Sequence, residues 1–219
     1  GSEEVAIAAL KAGAASYVPK RNLAAELVPT VEQVLAASQT DDRRTRVLGA
    51  LRGRASRYLL ENDPALVPPL VQLFREELTA FGLCDPTAAT RVGIALEEAM
   101  LNAIYHGNLG VSSDLKLAGD GAFERLAAER RREAPYRDRR VRVTTRLAPD
   151  GATFVVADEG PGFDVAALPD PTDPANLQRP SGRGLLFMRT FMDDVRYNRA
   201  GNRVTLVKRR EPSPVPAAC

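Results

Sequence analysis

Glu97, Glu98, Asn102 and His106 put two carboxylates, a carboxamide and an imidazole close together in the chain. Glu98 and Asn102 are one helical turn apart and share a face. Val92, Ala95, Leu96, Ala99, Met100, Ala103 and Ile104 recur at helical spacing and predict the buried stripe of that same helix. A carboxylate and a carboxamide so placed can serve a magnesium-phosphate site. The amide oxygen can ligate a hard cation that keeps most of its waters, and the carboxylate can take a proton from an attacking hydroxyl or water. Taken alone, the pair reads first as a solvated helix face.

Two further groups carry possible chemistry. Asp158-Glu159-Gly160-Pro161-Gly162 follows the apolar run Phe154–Ala157. Its glycines let backbone approach closely, and Asp158 at a strand end can accept a hydrogen bond from an amino group; alone it is also an ordinary Asx-Gly turn. Ser181-Gly182-Arg183-Gly184-Leu185 opens a helix, whose free N–H groups and dipole suit a phosphate.

The elements that must position these groups can be read from local signals. Arg57-Tyr58-Leu59-Leu60 predicts a strand. Asp63-Pro64 and Asp85-Pro86 each predict a helix start, a capping Asp followed by Pro at the first helical position. The first helix is expected to run to about Phe81 with Gly82 beyond it, its first turn made irregular by Pro68 and Pro69. The second ends at Gly107-Asn108. Residues 113–136 predict a third helix of mixed charge. Arg140–Arg146 and Thr153–Ala157 form a hairpin on Pro149-Asp150-Gly151; a helix spans Gly184 to Asp193; Val195–Asn198 and Arg203–Lys208 form a last hairpin. The expected class is α+β, a two-layer sandwich with helices on one face of a mixed, mostly antiparallel sheet. Domain bounds follow: residues 1–38 as one piece, 39–54 as an Arg-rich linker entering the first strand, 55–210 as the main domain, and 211–219 as a Pro-rich disordered tail.

Together and in this order, the three groups resemble the nucleotide-binding boxes of the GHKL (Bergerat-fold) ATPases. Glu98-Ala99-Met100-Leu101-Asn102-Ala103-Ile104-Tyr105-His106-Gly107 resembles the Asn-bearing helix motif. Asp158-Glu159-Gly160-Pro161-Gly162-Phe163 resembles the first glycine box, and Gly182-Arg183-Gly184-Leu185 the second. Val204-Thr205-Leu206 falls where a Thr-bearing closing strand is expected. Within the superfamily the chain is most similar to the anti-sigma-factor serine/threonine kinases, through Asp63-Pro64-Ala65-Leu66, the Glu-Ala-x-x-Asn pattern and Phe191-Met192-Asp193-Asp194.

The resemblance implies ATP and Mg²⁺ as cofactors. It implies Asn102 as the Mg²⁺ ligand, Asp158 holding the adenine amino group, and Gly160 and Gly162 making room for the base. Gly182 and Gly184, with Arg183 and Leu185, would cradle phosphates beneath a lid of residues 163–183, Thr205 would close the site, and Glu98 would be the general base. His106, the single histidine, either lines the phosphate end or caps its helix. The implied activity is phosphorylation of an anti-anti-sigma (STAS-type) partner, with a sigma factor as a further partner. A non-catalytic module that binds ATP and sequesters a partner is the alternative. Segment 110–138 departs from the pattern as a long charged insert; its Arg130-Arg131-Arg132 suits either an acidic partner or a salt-bridged solvated helix.

Residues 1–38 resemble the C-terminal third of a response-regulator receiver domain: Ala6–Ala14 a helix and turn, Tyr17 and Lys20 the switch aromatic and phosphate-contacting lysine, residues 22–37 the last helix. Pro19 precedes that lysine rather than following it. The apolar stripe Ala6, Leu10, Leu23, Leu27, Val31 and Leu35 then lacks its sheet, which predicts a homodimer.

Composition narrows the classes. Charged residues make up 26% of 219, and the net charge is +2, which offers no electrostatic reason to expect nucleic acid or a membrane surface. No apolar run is long enough to span a bilayer. Cys84 and Cys219 fit no metal spacing, and with one histidine a zinc site lacks ligands. A cytoplasmic protein is expected.

Overall fold

The Ala-rich N-terminal segment folds as two helices, α1 (Ser2–Lys11) and α2 (Leu23–Ala50). A computed structural model describes residues 2–50, 52–116, 121–165 and 183–210, in two units, Gly1–Leu51 and Arg52–Cys219. In the first unit Tyr17 and Val18 are in no helix or strand; a strand exists only through the ladder of a neighbour. The stretch expected as a linker is helical to Ala50. Asp41 through Leu48 contain no Gly or Pro, and Arg and Leu are good helix formers, so a charge run that looks like a connector simply extends the helix.

The second unit begins with β1 (Arg54–Leu60). Asp63 then accepts a hydrogen bond from the Ala65 N–H (3.2 Å) and starts a 3₁₀ turn, Pro64–Leu66, leading into α3 (Val67–Ala80). Pro68 and Pro69 fall in the first turn, where no N–H is required. Gly82, at φ +62°, ends α3, and the Leu83 N–H returns to the Leu78 carbonyl. Asp85 accepts from the Ala88 N–H (2.7 Å) and starts α4 (Pro86–Asn102). The insert holds a shorter helix than expected, α5 (Ala122–Arg130), with 3₁₀ turns at Ser113–Lys116 and Tyr136–Asp138. β2 (Val141–Ala148) and β3 (Gly151–Ala157) form the first hairpin. α6 (Arg183–Phe191), β4 (Asp194–Tyr197) and β5 (Arg203–Arg209) complete the fold.

The sheet order is β1-β2-β3-β5-β4, and every pairing among the described residues is antiparallel. Alternation along β2 is strict: Val141, Val143, Thr145 and Leu147 are buried, while Arg142 and Arg146 are exposed. The helices of this unit therefore cover one face only. The core lies between that face and the apolar sides of α3 and α4, where Phe74 meets Phe154 (5.5 Å between rings) and Val92, Leu96 and Met100 are fully buried. This two-layer α+β arrangement brings the ends of α4, β3 and β5 together.

Candidate functional site

Beyond Asn102 the helix does not stop; it widens into a π-helical stretch, Ala103–Asn108. The Leu109 N–H reaches back to the Ile104 carbonyl (2.9 Å), five residues earlier. Such widening re-aims side chains and is frequent at functional sites. Asn102, Ala103, His106 and Gly107 from this segment line a cavity of about 270 Å³. Val156 and Asp158 at the end of β3 form another wall; Phe163, Leu185, Tyr197 and Val204 complete it. An apolar cleft with a few converging polar groups is what a small-molecule site requires.

Asp158 is the polar anchor. Its backbone N–H donates to the Asn202 carbonyl (3.0 Å), and its carboxylate accepts from the Gly160 N–H (2.9 Å). Burial raises its pKa to about 6, outweighing the Gly160 hydrogen bond and the nearby Arg139 charge, which lower it. Burial also pushes the Tyr197 hydroxyl up to about 12; its ring meets Phe163 edge-on at 5.4 Å.

The glycines are required by backbone approach. A side chain on Gly107 would strike the Asp158 carboxylate, and one on Gly160 would strike the Gly107 carbonyl. Gly162, at φ +77°, packs on the Ala200 carbonyl. Gly160 makes room for Gly107 and is not among the residues lining the cavity. Gly162 does line the cavity.

Gly184, in the first turn of α6, rests on α4. A β-carbon there would come within 2.5 Å of Glu98 Oε2 and 3.6 Å of Asn102 Nδ2. The two motifs thus meet in space, although Asn102 and Leu185 line the cavity and Glu98 does not. His106 lines it too, with Nδ1 2.6 Å from the Val111 carbonyl. A carbonyl only accepts, so Nδ1 carries the hydrogen. The ring thereby also holds the loop after the π-helical stretch. Thr205 is not brought in. It alternates with buried Val204 and Leu206 and lies on the opposite face of the sheet. Gly182, the Arg183 side chain, residues 166–182 of the expected lid and the tail 211–219 lie outside the described residues.

Residues 60–208 match the family model of the histidine kinase-like ATPase domain. The chain belongs to this family. No curated protein matches it. The histidine kinase-like ATPase domain is an ATP-binding module of the GHKL type, and the cavity built on Asp158 is its candidate nucleotide site. Among the described residues no cluster of three or more His, Cys, Asp or Glu could hold a metal ion by itself. A donor set of one carboxamide and one carboxylate fits a Mg²⁺ carried in on phosphates rather than one caged by protein. No helix among the described residues is long and apolar enough to cross a membrane.

Sequence reasoning missed the support behind this site. Asn108, fully buried, donates to Asn62 Oδ1 (2.7 Å), while its own Oδ1 accepts from the Glu159 N–H (2.8 Å). Asn62 in turn donates to the carbonyls of Tyr136 (2.8 Å) and Arg139 (3.1 Å). One amide pair therefore ties the glycine turn of the ATPase domain to the end of β1 and to the insert. Arg139 closes the ring by donating to the Asn108 carbonyl (2.6 Å). The basic cluster is largely spent here as well. Arg130 donates to the Leu109 and Gly110 carbonyls at 2.7 Å each and stacks over Tyr136, and Arg131 pairs with Asp63 at 2.9 Å. The insert thus buttresses the back of the site. The available signal was Gly107-Asn108, legible as a helix end but not as a buried amide pair.

Proposed function

We propose that this ATPase domain is a protein serine/threonine kinase of the anti-sigma type, acting on a partner-switching regulator of the STAS class, with a sigma factor as a further partner and the N-terminal unit as a receiver remnant. The observation that carries the reading is the placement of Glu98 and Asn102 under Gly184, where the second glycine motif opens α6. Asp158, at the apolar end of the cavity, accepts the adenine amino group; the helix start at α6 presents N–H groups to phosphates. Asn102 would hold a nucleotide-borne Mg²⁺ through its amide oxygen, and that ion would neutralise charge on the phosphates. Glu98 takes the proton of the partner's hydroxyl as its oxygen bonds to the γ-phosphorus and the bond to ADP breaks.

Glu98→Gln keeps shape and polarity, so it is expected to preserve ATP affinity while slowing phosphotransfer by roughly 10²–10⁴. Radiolabel transfer to the cognate partner measures it, and a wild-type rate would remove Glu98 as base. A second reading is a non-catalytic module that binds ATP and sequesters its partner; it fits Glu98 lying off the cavity wall. Asn102→Ala weakens Mg-ATP under both readings, so only Glu98→Gln separates them.

The unit 1–38 supports a homodimer through its uncovered stripe, with Leu23, Leu27, Val31 and Leu35 all exposed. Sedimentation of the full chain against Leu27→Asp/Leu35→Asp is expected to show dimer against monomer; two monomers refute the pairing.

A further inference from the structure

The sheet of the ATPase domain has a second face that neither the core nor the nucleotide cavity accounts for. Its composition follows from the register. Arg57 pairs with Thr144, Arg142 with Ala157, and Arg146 with Thr153. Arg196 pairs with Thr205, and Arg209 with Gly151. Partners directly opposite in an antiparallel ladder point to the same side. Since Val141, Val143, Phe154, Val156, Val204 and Leu206 fill the core side, these arginines stand on the other, and all are exposed.

The floor between them is made of Thr144, Thr153, Val155, Thr205 and Val207, short branched side chains, with the exposed Leu59 opposite Arg142. The strands contain one acidic residue, Asp194, which is on this face and already bridged to Arg196 at 2.5 Å. That is the single ion pair on the face among the described residues. Net charge hides this asymmetry. The chain as a whole is only +2, so its acids are concentrated elsewhere and this surface repels its own kind. Two copies stacking face to face would oppose like charges across the interface.

The chemistry of the patch selects among anions. Among the described residues the face carries no aromatic ring, so it lacks the platform on which single-stranded bases stack. A flat sheet face also presents no helix or ribbon to a duplex groove. Arginine rather than lysine fits bidentate pairing with carboxylates, and its weaker hydration lowers the cost of covering it. Arg142 and Arg146, on one strand and one face, stand about 13 Å apart, a span that successive carboxylates of an acidic segment can match.

We propose that this open sheet face is a docking surface for an acidic protein segment, rich in Asp and Glu, distinct from the nucleotide cavity. The inference does not depend on the kinase reading. It uses neither Glu98 nor Asn102, and it holds equally for a module that only sequesters its partner.

The test is fluorescence anisotropy of the full chain with a labelled Glu-rich peptide at low ionic strength. Wild type is expected to bind the peptide, and added salt to weaken it. Arg142→Gln/Arg146→Gln should lower affinity by about five- to tenfold. Arg142→Lys/Arg146→Lys, which keeps the charge and loses the fork, should fall between. ATP affinity by calorimetry is expected to be unchanged in both, which establishes that they are folded; Arg57→Gln/Arg196→Gln is the second pair should either fail to fold. Equal peptide binding by wild type and both Gln pairs would overturn the proposal. So would absence of binding by wild type at low salt, or tighter binding of a single-stranded DNA of equal charge, which would make the face a nucleic-acid surface.

Discussion

The two units of this chain use similar helical periodicity to different ends. In α4 the stripe Val92, Leu96 and Met100 is entirely buried against the sheet, whereas in α2 the stripe Leu27, Val31 and Leu35 stays 42–54% exposed. Both patterns specify an amphipathic helix, and both helices form. The difference is the second layer. A helix buries its apolar side only where another element presents a matching surface, and within the second unit β1 to β5 supply that surface to α3 and α4. Periodicity thus tells which residues seek cover and not whether cover exists.

The comparison is sharpest under core truncation. Phe74→Ala removes a ring packed between Tyr58 and Phe154 and is expected to cost about 3–5 kcal/mol by urea unfolding. Leu35→Ala in α2 is expected to change the unfolding of the ATPase domain by less than about 0.5 kcal/mol. A comparable loss from both would mean that the N-terminal stripe is covered.

A smaller effect is expected behind the site. Asn108→Ala leaves the Glu159 N–H and Asn62 Oδ1 without the partner they have in Asn108, costing about 1–3 kcal/mol. Asn108→Asp restores the acceptor for Glu159 but not the donor to Asn62, so it should recover only part of the loss. ATP affinity by calorimetry should fall with stability in both, since the Asp158 turn loses its anchor. An Asp variant equal to wild type would show that the amide pair carries nothing.

The smallest effect is one of pH. Asp158 titrates near 6 when folded, above the ordinary 3.8. Its sign for stability is that of a raised carboxyl. The contribution is fully present below 3.8 and is lost as pH rises through about 6, because the native state then holds a buried charge. For binding the sign reverses, since only the carboxylate accepts from an amino group at both oxygens. ATP affinity should therefore fall by about tenfold per pH unit below 6. Asp158→Asn should flatten both profiles; an unchanged affinity profile in that variant would place the titration elsewhere.

Much of the fold was legible because its signals are local. Asp63-Pro64, Asp85-Pro86 and Gly82 act through bonds to neighbours two to five residues away, and each ends or starts a helix as its chemistry requires. The hairpin on Asp150-Gly151 and the alternation of β2 are local in the same sense. Residues 39–50 misled because charge density says nothing about backbone conformation, which in that stretch favours helix.

By itself the sequence determined the two-layer class, the helix and strand starts, and the three motifs that had to converge if a nucleotide site existed. Tertiary structure decided which members converge. It set Asn102, His106 and Asp158 around one cavity, turned Thr205 to the far face, gave Gly160 to Gly107, and joined Asn62 to Asn108 across the chain. These are contacts between residues far apart in sequence, and no local propensity encodes a partner that only the packing of α4 against the sheet brings within reach.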